Sequence, residues 1–181
     1  MSTMTILSEL VKDTARIKLQ EEYGKHYVKL EEPQAVDSSA IIKGIPADAI
    51  IIKVDSFRSP DDVFNGNKGE CKRADFVIIS GEKKCIVYIE IKRTKDSWDQ
   101  IVKQLTGAEC FIKYCQEIGK AFWKDKSFLQ DFKHRFVSIG HTSIAKRKTQ
   151  VTKNADKHDT PQKALKIDWP NYLQFNQLVG A

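Results

Sequence analysis

The stretch ADFVIISGEKKCIVYIEIKRT, residues 74–94, constrains the fold more than any other part of this chain. Two runs rich in Val and Ile flank a short polar turn, which is the pattern of an antiparallel hairpin. With GEKK, residues 81–84, as the turn, pairing sets Ile79 opposite Ile86, Val77 opposite Tyr88 and Asp75 opposite Glu90. Residues directly opposite have Cβ atoms about 4.5–5.5 Å apart on one face, and like charges placed so repel. A divalent cation between the carboxylates would remove that cost. Side chains alternate with period two, so Lys92 shares the face of Glu90. A slip of one residue in the pairing would separate these groups.

The rest of the chain supplies the partners of this hairpin. ILSELVKDTARIKLQEEYG, residues 6–24, spaces apolar residues at helix-like intervals and ends in Gly24, predicting an opening helix. Ala49 to Phe57 reads as a strand, and RSPDDVFNGNKGE, residues 58–70, as turns. After the hairpin, Asp96 or Ser97 caps a helix running to Gly119, its apolar face built from Trp98, Ile101, Val102, Leu105, Ala108, Phe111, Ile112 and Cys115. Residues 134–144 read as another strand, about 145–168 as a basic loop with flexible character, and YLQFNQLV, residues 172–179, as a strand or a helical turn. The order predicts one α/β (α+β) domain over residues 1–181, with helices on a small mixed sheet.

Composition bounds the partners. The 30 Lys and Arg against 24 Asp and Glu give a net charge of +6, a mixed surface with a basic bias that suits nucleic acid without requiring it. No run approaches the roughly 18 apolar residues of a membrane span, and MSTMTILSELVKD lacks the character of a secretory signal, so the expectation is a cytoplasmic protein without a membrane partner. Cys71, Cys85, Cys110 and Cys115 form no CxxC pair and read as buried free thiols rather than zinc or cluster ligands.

An aspartate on one strand, then Glu-x-Lys at the end of the next, suits phosphodiester hydrolysis. Carboxylate oxygens bind magnesium, which polarises a phosphate and acidifies a water, while the lysine orients that water or offsets charge growing on the phosphate.

On these residues the chain resembles the PD-(D/E)xK nuclease superfamily, the restriction-endonuclease-like proteins, over about residues 70–145. Asp75 matches the motif aspartate, Glu90-Ile91-Lys92 matches (D/E)xK, and the element order fits an αβββαβ core. The resemblance implies a magnesium-dependent deoxyribonuclease (manganese can substitute), with Asp75 and Glu90 as metal ligands and Lys92 as the catalytic lysine. It also implies a supporting Gln100 or Gln104 from the next helix, and an acidic residue of the first helix among Glu9, Glu21 and Glu22. Its context would be restriction, repair, phage biology or genome defence, and cutting both strands would favour a homodimer or larger assembly. Two features depart from the family pattern: Ala74 replaces the motif proline, and Ala108 follows Gln104 by four residues where one branch carries tyrosine. Pro60-Asp61 is a turn and does not lead into the strand that pairs with Glu90.

Other residues carry competing readings. Lys146, Arg147 and Lys148 read equally as a solubilising loop and as phosphate contacts. His134 and His141 read as surface or hydrogen-bonded residues before catalytic bases, and Trp98 and Trp123 as packing residues. Two rival functions remain: an inactive relative that binds nucleic acid or protein through the same scaffold, and an unrelated α+β interaction module.

Overall fold

The computed structural model describes residues 1–31, 39–92, 96–140, 158–168 and 172–180. Helix α1 (Thr3–Leu10) is followed by β1 (Arg16–Ile17), β2 (Gln20–Glu22), β3 (Lys25–Glu31), β4 (Ser39–Ile45), β5 (Ile50–Lys53), β6 (Phe76–Ser80) and β7 (Cys85–Lys92). Helix α2 (Trp98–Phe122), β8 (Lys133–Gly140), β9 (Leu165–Asp168), β10 (Leu173–Gln174) and α3 (Phe175–Val179) complete it. The result is a small α+β fold with two mixed sheets. The larger has the order β1-β5-β6-β7-β8-β9 and the smaller β10-β4-β3-β2.

In the larger sheet β5, β6 and β7 form an antiparallel meander, and β8 then lies parallel to β7. Parallel neighbours need a long crossover, and α2 supplies it. The sheet is buried on both faces, which explains why β6 and β7 read as nearly unbroken apolar runs. On one face Ile78, Val87, Ile89, Val137 and Ile139 pack with Val28, Leu30 and Ile42 of the smaller sheet and Phe175 of α3. On the other, Val77, Ile79, Ile86, Tyr88 and Phe136 pack with Ile6 and Leu7 of α1 and Ile101, Leu105, Ala108 and Ile112 of α2. No helix among the described residues is long and apolar enough to cross a membrane.

Three elements differ from the sequence reading. The opening helix ends at Leu10, with Val11 already extended. Ile17 instead pairs with Ile51 in a strand, and Gly24 (φ +70°) follows Tyr23 (φ +49°) in the tight turn between β2 and β3, where Glu22 faces Lys25. Two positive φ values in a two-residue loop are what a hairpin of strand-like twist requires, so Gly24 is a hairpin glycine and not a helix cap. The strand from Ala49 is shorter, because residues 54–56 tighten into a 3₁₀ turn. Residues 165–168 form β9 where the sequence suggests a loop, and residues 172–179 are a short strand running into a helical turn.

All four cysteines are free thiols, but only Cys85 and Cys115 are buried, and Cys110 is exposed. Burial pushes Cys85 up to about 11 and Cys115 to about 12, so both are inert at neutral pH.

Candidate active site

Two of the expected hairpin pairs form, Ile79 with Ile86 and Val77 with Tyr88, but the ladder closes with Phe76 opposite Ile89, so the expected Asp75–Glu90 pair falls outside it. Asp75 lies one residue before that last pair, in a bend. Two bonds hold it. Its carbonyl oxygen accepts the Val54 N–H at 2.9 Å, continuing the pairing with β5, and its Oδ2 accepts the Ile91 N–H at 2.7 Å. The Asp75 side chain therefore reaches the backbone beside Glu90. Arg73, just upstream, donates to the carbonyls of Val54, Asp55 and Phe57 and lies over the Phe57 ring, which stacks on Phe111 of α2. These contacts tie the approach to Asp75 to the strand before it and to the helix after it.

Glu90 follows the alternation of β7. Ile86 and Tyr88 face the helices while Val87, Ile89 and Ile91 face the smaller sheet, so Glu90 and Lys92 point to the helix side. Glu90 is fully buried, at 0% exposure, and its Oε1 lies 2.8 Å from Lys92 Nζ, whose side chain remains 25% exposed. A buried carboxylate needs a countercharge, and Lys92 provides one. Burial pulls the Lys92 ammonium down, but Glu90, Asp75 and Asp96 outweigh it and hold the group above its ordinary range. Lys92 is thus a firm cation that feels both candidate carboxylates. Asp96 Oδ2 stands 3.6 Å from it.

The other sequence-predicted residues separate. The Gln100 side-chain oxygen accepts a hydrogen bond from Lys72. Gln104 Oε1 is a buried acceptor with no hydrogen-bond partner among the described residues. Glu9 accepts the Trp123 indole N–H at 2.8 Å. That contact lies at the C-terminal end of α2, the opposite end from Ser97 and Asp96, and a helix of 25 residues is about 37 Å long at 1.5 Å per residue. Glu21 lies 3.8 Å from His26 on the smaller sheet, and Glu22 is exposed beside it. His134 Nδ1 hydrogen-bonds the Tyr88 hydroxyl at 2.9 Å in a stacked row with Phe136, so its role there is packing. His141, Lys146, Arg147 and Lys148 lie outside the described residues.

Parallel pairing adds residues that the sequence did not single out. Glu90 is opposite Ser138 of β8, and Ser138 is opposite Lys166 of β9. Phe136 belongs to the helix-side core and Val137 to the other face, so Ser138 shares the side of Glu90. No signal within residues 133–168 announces this row, because it depends on which strands become neighbours.

Among the described residues, no group of three or more His, Cys, Asp or Glu side chains gathers closely enough to hold a metal ion. Asp75 and Glu90 are two carboxylates that both act on Lys92. Such a set fits magnesium, which commonly takes one or two protein carboxylates and keeps several waters, better than it fits zinc or calcium. Compared with protein-family models, curated proteins and solved structures, the chain finds no match.

Proposed function

We propose that this chain is a magnesium-dependent nuclease acting on DNA, with its active site at the helix-side end of the β6–β7 hairpin. The observation that carries the reading is the approach of Asp75 to Ile91 beside a fully buried Glu90 whose countercharge is Lys92. Burying a carboxylate is costly, and a hydrophobic residue would serve a purely structural role at this position at less cost. With β1–β4 inserted after α1, the elements α1, β5, β6, β7, α2 and β8 follow the αβββαβ succession that the nuclease resemblance implies, which adds support.

In this reading Asp75 and Glu90 would hold the ion, which when bound supplies a Lewis acid for the phosphate and a more acidic water. Lys92, held 2.8 Å from Glu90 and partly exposed, would orient the attacking water or offset negative charge developing on the phosphate. Of the two glutamines, Gln104 is the better supporting group, since Lys72 already engages Gln100.

Purified protein should cleave DNA with magnesium or manganese and stop with chelator, while Glu90→Ala and Lys92→Ala remain folded and lose cleavage by orders of magnitude. Cleavage that persists in both variants rules out this active site.

A further inference from the structure

The row Glu90–Ser138–Lys166 ends in a second cation. Adjacent strands lie about 4.8 Å apart, so Lys166, two strands out, stands roughly 10 Å from Glu90 measured along the row. Lys166 is exposed, and its Nζ lies 3.7 Å from the ring centroid of Trp98, the first residue of α2. Trp98 is partly buried, packed against the helix-side core.

Most lysines near α2 are neutralised locally: Lys92 by Glu90 and Asp96, Lys103 by Asp99, Lys113 by Glu109 and Lys120 by Glu117. Lys166 differs, because among the described residues an aromatic face holds it and no carboxylate pairs with it. An aromatic ring positions an ammonium and leaves its full charge to an incoming anion.

Building on the nuclease reading, we propose that Lys166, steered by Trp98, is a substrate-positioning residue of this active site. It would grip a backbone phosphate of the DNA strand next to the phosphate presented to Asp75 and Glu90, and so fix the strand's register across the sheet. A backbone contact of this kind positions the strand without reading its sequence.

The test is DNA binding to the full chain in chelator, where no cleavage occurs, at salt concentrations from about 50 to 200 mM. A short duplex is the probe, and the proteins compared are the parent, Lys166→Gln and Lys166→Arg. The expected result is a slope of log K against log salt that flattens by about 0.9 in Lys166→Gln and recovers in Lys166→Arg. With magnesium, Lys166→Gln should raise KM and leave kcat nearly unchanged, since it loses binding common to ground and transition states. Equal melting temperatures of parent and variants verify the fold. An unchanged slope overturns the proposal, and so does a parent that binds no DNA. A parent that cleaves while Lys166→Gln keeps its slope removes the role of Lys166 alone. A parent that never cleaves while the slope still flattens removes the nuclease reading and leaves Lys166 as a polyanion contact.

Discussion

Asp75 and Ile91 are joined by one hydrogen bond, 2.7 Å from the Ile91 amide to Asp75 Oδ2, just past the last ladder pair of the hairpin. The aspartate extends the pairing of two strands by a side chain where the backbone ladder has stopped. It thereby has a structural duty separable from any chemistry.

That duty can be isolated by substitution. Asp75→Asn keeps an oxygen for the Ile91 N–H and should melt within about 1 kcal/mol of the parent, whereas Asp75→Ala strands the amide and should cost about 1–3 kcal/mol. Both should abolish metal-dependent cleavage. Denaturant titration of the two variants, paired with a cleavage assay, checks this; an Asn variant as unstable as the Ala variant would mean that the charge, not the hydrogen bond, holds the strands.

Lys92 and Glu90 make a second separation possible. Removing the cation leaves a buried carboxylate without its main countercharge, so Lys92→Met should destabilise the metal-free protein by about 1–3 kcal/mol, less than a fully buried pair because Lys92 reaches solvent. Manganese held by Asp75 and Glu90 in the native state alone would raise the melting temperature of Lys92→Met more than that of the parent, in which the ammonium competes for Glu90. In Glu90→Gln the metal shift should vanish. A metal response equal in all three proteins places the ion elsewhere.

Gly107 is the point where α2 presses on the segment leading to Asp75. A Cβ at this position would overlap the Lys72 carbonyl oxygen, a backbone atom that cannot swing aside. Gly107→Ala gains helix propensity worth about 1 kcal/mol but should still lose about 3 kcal/mol net, and activity should fall with it as Arg73 and Asp75 shift. A thermal melt showing a more stable variant would mean that the contact relaxes freely.

The pH response follows from His134 and His158. Burial holds both below the ordinary 6.5; for His134 Glu109 opposes this and Lys113 adds to it, and for His158 the Leu178 carbonyl and Asp159 oppose it while Arg135 adds to it. Both are neutral in the fold. Above about pH 6.5 the folded and unfolded chains bind the same protons, so their contribution is fully present. As pH falls through that value the unfolded chain takes up protons that the fold refuses, and stability drops until the lowered folded pKa is passed. His134→Gln should lose less stability than the parent between pH 7.5 and 5.5, measured by thermal melts; identical losses would show that His134 is not a contributor.

How far the sequence could be read depended on how local each feature is. The hairpin register was legible because turn and alternation lie within one stretch of chain, and the same alternation put Glu90 and Lys92 on one face. The start of α2 was legible from Ser97, whose side chain accepts the Gln100 N–H. The α1 boundary was not, because Ile17 continues a helical spacing by chance while its partner Ile51 lies in a strand far along the chain. Glu9 illustrates the same limit, since only the packing of α1 against α2 decides that it meets Trp123. Ser138 and Lys166 were invisible for this reason too: parallel pairing leaves no turn between the strands to announce it.

The long crossover between β7 and β8 also sets an order in time. Asp75, Glu90 and Lys92 belong to one hairpin with a four-residue turn, of the kind that closes within about 1–10 μs, while Ser138 and Lys166 join only after α2 has formed and the far strands have found the sheet. Non-local pairing bears its loop-closure entropy first and is rewarded later. If the hairpin closes first, Lys92 would settle against Glu90 while both are still in water, where charge repulsion is weak. The docking of α2 and β8 would then seal that arrangement away from solvent, and the charge would be buried already neutralised.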